Sequence, residues 1–157
     1  MFASLPRPAH RLALRLAHRL RLGWWRVRRP ELNGCNAIVI NPRGEVLLVR
    51  HSYQAPEVWM LPGGGLRRGE RAEAAAVREL AEETGCTLSE PRCFAVETVS
   101  LSGARNRIHL VVGTTRDKPR PDGREILAAA FFPLDDLPAG TAATARARIA
   151  RAQNSES

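Results

Sequence analysis

The sequence predicts a single α/β domain, an α/β/α sandwich in which helices cover both faces of a mixed sheet. Short apolar runs of strand length alternate with turn-rich segments on both sides of one compact helical stretch. Hairpin signals join neighbouring runs, and strands placed both before and after helices are typical of a mixed sheet between helices. At 157 residues the chain is long enough to bury the core of one such domain.

The elements of this domain follow from local signals in chain order. Runs rich in Val, Ile and Phe predict strands, and clusters of Gly, Pro and polar residues predict the turns between them. The strands are expected at 37–40, 46–50, 93–101, 108–115 and 126–133, with turns at 41–44 and 103–107 and loops at 51–58 and 116–124. A helix is predicted from 72 to 84, and a second from Thr141, a plausible N-cap, to about Arg151.

Residues 1–30, which we call the arm, differ from the rest of the chain in charge. They hold eight arginines and no acid, and removing these eight from the 24 basic residues leaves 16, which balance the 16 acids of residues 31–157. The net charge of +8 therefore belongs to the arm. Its apolar residues recur at i, i+4 beside a stripe of arginines, which predicts a basic amphipathic helix that stops at Arg29-Pro30.

Four roles of the arm remain open. It could pack on the domain or on a second copy of the chain in a homodimer, lie on a membrane surface, contact RNA or other nucleic acid through phosphate attraction, or be partly disordered. The folded domain itself is expected to span residues 31–152, and residues 153–157 are expected to form a frayed tail.

The three cysteines indicate a reducing environment. Cys35, Cys86 and Cys93 are odd in number and lack a CxxC spacing, so neither a disulfide framework nor a zinc site is expected. No run of about 18 uncharged apolar residues occurs, and arginines interrupt any signal-peptide core. These features predict a cytoplasmic protein with free thiols.

A glycine-rich turn precedes the first predicted helix, which carries a cluster of acids. With about 3.6 residues per turn, Glu79, Glu82 and Glu83 fall at i, i+3 and i+4 and share one face. Like charges at this spacing repel one another, which suggests that a bound cation balances them. Carboxylate oxygens, waters and substrate phosphates are the ligands that Mg²⁺ prefers. The cluster therefore predicts a magnesium site, with a solvated helix face as the alternative.

The segment from Gly64 to Cys86 follows a strict spacing. It reads Gly64, five residues, Glu70, seven residues, and then Arg78-Glu79-Leu80-x-Glu82-Glu83-x-Gly85-Cys86. This pattern resembles the Nudix box of the MutT-like pyrophosphohydrolases at every defined position. The resemblance continues in the hairpin around 41–44, in Leu61–Gly65 and in 131–138, covers about residues 33–150, and implies the Nudix α/β/α sandwich with a mixed sheet.

The resemblance implies both an activity and a cofactor. Water would attack a pyrophosphate bond with the help of Mg²⁺, or of Mn²⁺ as a substitute, without a covalent enzyme intermediate. Glu79 and Glu83 would be the primary metal ligands, and Glu82 would be a further ligand or a proton acceptor. The backbone carbonyl of Gly63 would be the ligand that is not a carboxylate.

The resemblance assigns other box residues to structural roles, and leaves two acids as rivals. Glu70 and Arg78 would hold the turn against the helix. Either Glu97 or Glu125 could join the metal site, although a surface salt bridge is an equal alternative for each. Arg71 departs from the pattern, because the family often has Ser or Thr at this capping position. The structural positions of the box are Gly64, Glu70, Arg78 and Gly85.

Candidate substrate-binding residues lie outside the box. Tyr53 could stack on a base, while Arg50, His51 or Arg105 could meet a phosphate. The expected substrate is a small nucleoside diphosphate linked to another moiety. Two alternatives remain open: an RNA 5′-pyrophosphohydrolase and a non-catalytic nucleotide-binding module with the same fold.

Overall fold

The fold is that of a computed structural model, which describes residues 31–53, 55–101 and 104–155. The arm lies outside the described residues, so its predicted helix stays a prediction. The described chain forms the elements β1 (Glu31–Ile40), β2 (Glu45–His51), β3 (Gly63–Gly65), α1 (Ala72–Thr84), β4 (Ser89–Leu101), β5 (Ala104–Thr114), β6 (Ile126–Pro133) and α2 (Ala143–Ser155).

The strands form one mixed sheet in the order β4-β5-β1-β2-β6, with β3 paired to the first half of β1. The β1–β5 pair is parallel and runs without interruption from Glu31 beside Arg105 to Ile40 beside Thr114. The pairs of β1 with β2 and β3, of β2 with β6 and of β4 with β5 are antiparallel. This arrangement confirms the predicted mixed sheet.

Each face of the sheet packs on one helix, because successive side chains of a strand point to opposite faces. In β1, Ala37 and Val39 pack with Leu80 of α1, whereas Ile38 packs with Ile149 of α2. All five side chains are almost completely buried. The two apolar clusters confirm the predicted sandwich and place α1, with its acids, on one face only.

Some element boundaries follow the prediction closely. Helix α1 and strand β6 have the predicted bounds. Gly85 ends α1 in the left-handed region at φ 70° and donates its N–H to the carbonyl of Ala81. No side chain caps the start of the helix at Arg71, which agrees with the departure noted there.

Other boundaries differ from the prediction. Strand β1 begins at Glu31 rather than Ala37, since its parallel partner β5 supplies hydrogen bonds along its whole length. The turn predicted at 103–107 is wrong for residues 104–107, which belong to β5 and pair with β4. Pairing between distant segments thus overrides the polar local sequence.

The second helix begins and ends later than predicted. Thr141 is not its N-cap, because α2 begins at Ala143 and Thr141 bridges instead to Trp59. The helix continues past Arg151 to Ser155, so part of the predicted tail is helical. Residues 156 and 157 lie outside the described residues.

The thiols of the described chain are free, and two of them are buried. Cys35 and Cys86 lie in the core, and Cys93 is half-buried. Burial raises the pKa of the Cys35 thiol to about 11, so this thiol stays protonated. Neither helix within the described ranges has the length and apolarity needed to cross a membrane.

Candidate active site

The glycine-rich segment predicted as a turn is strand β3 (Gly63–Gly65), which we continue to call the glycine turn, and it lies directly against α1. Gly63 and Gly64 pair with Asn36 and Cys35 of β1, which fixes the turn on the sheet. A Cβ atom on Gly64 would come within 2.5 Å of the Glu79 carboxyl group. A side chain at this position would displace the Glu79 carboxyl group, so glycine lets that group lie directly against the turn.

Arg78 joins the turn to the helix through its guanidinium group. Its Nε and Nη2 atoms each donate to Glu70 at 2.9 Å, Nη1 donates to Glu79 at 2.7 Å, and Nη2 also donates to the Gly65 carbonyl at 3.0 Å. These hydrogen bonds raise the pKa of Arg78 and lower the pKa of Glu70 to about 2. The planar fork of arginine suits this set of acceptors, so lysine would not replace it.

Glu83 is the buried acid of the cluster. Its side chain is 9% exposed, and Oε2 accepts a hydrogen bond of 3.1 Å from the Gly63 N–H. Burial, together with the nearby charges of Glu79, Glu125 and Glu82, raises the pKa of Glu83 to about 8. Near neutral pH this carboxyl group therefore holds a proton unless a cation takes the place of that proton.

The box acids share a cavity of about 260 Å³ with two acids from the loop before β6. Asp122 was not predicted from the sequence; its Oδ1 accepts hydrogen bonds from the N–H groups of Glu125 and its two neighbours and thereby orders this loop. The dipeptide Asp122-Gly123, which is typical of a turn, was the sequence signal that could have pointed to this residue. The cavity is lined by Glu79, Glu82, Glu83, Asp122, Glu125 and Ile126.

The structure separates the two rival acids. Glu125 lines the cavity beside the box. Glu97 instead accepts hydrogen bonds from Arg148 and Arg151 of α2, at 3.0 Å each, on the other face of the sheet. Of the two, the geometry therefore places only Glu125 with the acids of α1.

Three of the four predicted substrate-binding residues lie in or just after β2, and the fourth lies in β5. His51 is buried, and its Nε2 lies 4.0 Å from Oε1 of Glu83. The centres of the His51 and Tyr53 rings are 5.3 Å apart. Desolvation lowers the pKa of His51 to about 4, so the imidazole is neutral at physiological pH. The Arg50 guanidinium lies 4.9 Å from the centre of the Trp59 ring. Arg105 sits in β5 and does not line the acidic cavity.

The donor set of the cavity fits a hard divalent cation, although its side chains are turned toward arginines. Within the described ranges, no three His, Cys, Asp or Glu side chains converge closely enough to hold a metal ion as they stand. Arg78 and Arg67 account for this, because they contact Glu82 at 3.4 and 3.5 Å while Arg78 also holds Glu79. Carboxylate oxygens around one cavity, with the buried Glu83 in need of a positive charge, are what Mg²⁺ prefers.

The raised pKa of Glu83 predicts how the stability of the metal-free protein depends on pH. Since this pKa is about 8 in the folded chain and 4.5 in the reference state, the folded state loses stability as pH rises between these values. The lowered pKa of His51 makes the stability of the folded state rise with pH, but only below pH 6.5, the reference value for histidine. In EDTA, we expect Tm to fall from pH 6.5 to 8.

Thermal unfolding at successive pH values checks this expectation. Adding Mg²⁺ at pH 8 should restore much of the lost Tm, since the cation replaces the proton on the cluster. A Tm in EDTA that is constant or rises over this range would contradict the assignment of Glu83 as a buried carboxyl group.

The sandwich, the glycine turn and the acid-bearing helix occur together in one known protein family. The model of the NUDIX domain family matches residues 32–153. Since this range is most of the chain, the protein belongs to the Nudix family, whose hydrolases act on pyrophosphate bonds of nucleotide derivatives and generally use a divalent metal such as Mg²⁺.

Relatives and solved structures agree with this assignment. The chain is 33% identical over 109 residues to putative 8-oxo-dGTP diphosphatase 2 of Mycobacterium tuberculosis, a match that covers 62% of this chain and 75% of that protein. It is 43% identical over 56 residues to an RNA pyrophosphohydrolase of Rhodospirillum rubrum, covering 36% of this chain and 33% of that protein. The chain thus spans about a third of the length of that relative.

A solved structure shows the same fold. The MutT NUDIX hydrolase from Burkholderia pseudomallei has 28% sequence identity to this chain and a TM-score of 0.66. The superposition covers 76% of this chain and 96% of that one.

Proposed function

We propose that the protein is a Mg²⁺-dependent hydrolase that cleaves the pyrophosphate bond of a nucleoside diphosphate linked to another moiety. The observation that carries this proposal is the buried Glu83 among Glu79, Glu82 and Glu125, tied to the turn by the Gly63 N–H. A carboxyl group so placed is unfavourable in its charged form without a cation. Such a cluster beside a glycine turn suits the binding of a metal with the phosphates of a substrate.

In the proposed reaction, the chain binds the cation and takes up the proton of the attacking water. Mg²⁺, when bound, supplies charge neutralisation on the phosphate oxygens and lowers the pKa of water. Glu79 and Glu83 would hold the cation together with the Gly63 carbonyl, and Arg78 would orient Glu79. Glu82 or Glu125 accepts a proton as the water oxygen bonds to phosphorus and the bridging P–O bond breaks.

The substrate class draws support from the longer match. The M. tuberculosis relative aligns over most of its own length, and the substrate in its name, 8-oxo-dGTP, falls within the proposed class. Tyr53 and Arg50 remain proposed contacts to the base and to a phosphate. The free thiols suit the reducing cytoplasm, where we propose that the protein works.

A panel of nucleotide pyrophosphates tests the proposal. The full chain is incubated with nucleoside triphosphates, 8-oxo-dGTP, ADP-ribose, sugar nucleotides and dinucleoside polyphosphates, with and without Mg²⁺, and released nucleoside monophosphate is measured. At least one member should be hydrolysed, and only with the metal. A panel that stays silent with both Mg²⁺ and Mn²⁺ would favour a non-catalytic nucleotide-binding module.

An RNA 5′-pyrophosphohydrolase is the second candidate, favoured by the local identity to the R. rubrum enzyme. The eight arginines of the arm would attract the phosphate backbone of RNA. RNA with a 5′-triphosphate belongs in the same panel. For this candidate, RNA should be hydrolysed in preference to small nucleotides, and RNA binding should weaken steeply with salt.

A further inference from the structure

His51 occupies an unusual place at the end of β2. The register of β2 with β6 shifts between Arg50 and His51, and this irregularity accompanies the turn of the chain toward α1. Its side chain is only 7% exposed, so it lies beneath the surface beside Glu83. The nearest ionisable group given for this side chain is the Glu83 carboxyl group.

The buried ring of His51 has one unsatisfied nitrogen within the described part of the chain. Nδ1 is buried without a partner, and the separation of 4.0 Å between Nε2 and Oε1 of Glu83 is too long for a hydrogen bond. Buried polar groups without partners are unfavourable and rare. An imidazole buried with an unsatisfied nitrogen beside Glu83 therefore calls for an explanation.

The separation between Nε2 and the Glu83 carboxylate suits a shared cation. Two ligands about 2.1 Å from one octahedral ion lie about 3.0 Å apart when adjacent and about 4.2 Å apart when opposite. The observed 4.0 Å falls between these limits. Small rotations of two side chains would therefore bring both donors onto one ion.

We propose that Nε2 of His51 is a nitrogen ligand when Mn²⁺ is the cation bound by Glu83, so that His51 strengthens the binding of Mn²⁺ but not that of Mg²⁺. Imidazole suits transition metals, whereas Mg²⁺ prefers oxygen donors alone. The inference rests on the proposed function only in requiring a cation beside Glu83. It assigns His51 to the metal rather than to the substrate.

Pulsed electron paramagnetic resonance of the full chain with one equivalent of Mn²⁺ tests the inference directly. In a nitrogen-free buffer, the spectrum should show the hyperfine coupling of a directly bound imidazole ¹⁴N. A spectrum without this coupling would overturn the proposal. Because the wild-type protein is used, this test does not depend on whether a variant folds.

Two histidine variants assign the signal to one residue. In His51→Phe, the ¹⁴N coupling should disappear, the Kd for Mn²⁺ should rise at least about tenfold, and the Kd for Mg²⁺ should change little. His109→Phe, a control in the half-buried part of β5, should keep the wild-type spectrum and both affinities. Equal weakening of both metals in His51→Phe would point to a merely structural role and would overturn the proposal.

The failure of this inference can be told from the failure of the proposed function. If the ¹⁴N coupling is absent but the nucleotide panel is hydrolysed with Mg²⁺, the function stands and the role of His51 is wrong. If the coupling is present but the panel is silent, His51 is a ligand in a protein that does not hydrolyse these nucleotides.

Discussion

Replacing Glu83 by Gln should lower kcat for nucleotide pyrophosphate hydrolysis by about 1000-fold, equivalent to about 4 kcal/mol of transition-state stabilisation. Glutamine keeps the shape of the side chain but cannot supply the negative charge that binds the cation. It can still accept the hydrogen bond from the Gly63 N–H, so the turn should stay in place. Steady-state kinetics with Mg²⁺ on a substrate identified in the panel measures the loss.

The same substitution should stabilise the metal-free protein at alkaline pH. Above pH 8, wild-type Glu83 is a buried charge among other acids, and glutamine removes that charge. In EDTA at pH 9, we expect the variant to unfold about 5 °C above the wild type, and the two Tm values should converge at pH 5.

Glu73→Gln is the matched control, since Glu73 lies in the first turn of the same helix and pairs with Arg71 instead. It should keep hydrolysis within about twofold of wild type, as expected for a substitution outside the cluster. If Glu83→Gln retains activity comparable to that of this control, Glu83 is not a metal ligand. If the Glu83→Gln protein is less stable than wild type in EDTA at pH 9, the buried-charge explanation is wrong.

Replacing Gly63 by Ala should unfold the turn and with it the site. Gly63 has φ 149°, a region that L residues rarely adopt, and its Cβ would overlap the carbonyl oxygen of Cys35 in β1. The added Cβ would also lie 2.9 Å from the backbone Cα of Asn36. Since both neighbours are backbone atoms of β1, they cannot move away without breaking the β1–β3 pairing. We expect the free energy of unfolding to fall by about 3 kcal/mol and Tm by about 9 °C, as measured by thermal denaturation.

Gly65→Ala is the control within the same turn. Gly65 has no positive φ, and a Cβ added there meets no atom within 4 Å. This variant should keep wild-type Tm and hydrolysis. Equal losses in both variants would show that the turn tolerates no side chain at all, and would remove the specific argument for Gly63.

The sequence was most informative where structure follows from nearby residues. The bounds of α1 came from its helical pattern and from Gly85, and the box spacing placed Glu79, Glu82 and Glu83 on one face of it. The contacts of Arg78 with Glu70 also lie where the box implies. All of these relations span at most about two helical turns and one tight loop, so that local geometry determines them.

The remaining features depend on pairing between distant segments. The extension of β1 to Glu31 requires β5, and the choice between Glu97 and Glu125 depends on which face of the sheet each one meets. The burial of His51 follows from the register of β2 with β6 and from the helix above it. A single sequence carries no local signal for any of these relations.

Arg78 gives the site a built-in substitute for its cation. Its guanidinium already neutralises Glu79 while it stays anchored to Glu70 and to the Gly65 carbonyl. A bound metal would compete with the contacts of Arg78 to Glu79 and Glu82, whereas the hydrogen bonds to Glu70 and Gly65 would hold the guanidinium in place. We therefore expect that binding and release of the cation exchange one positive partner of these acids for another, without refolding of the chain.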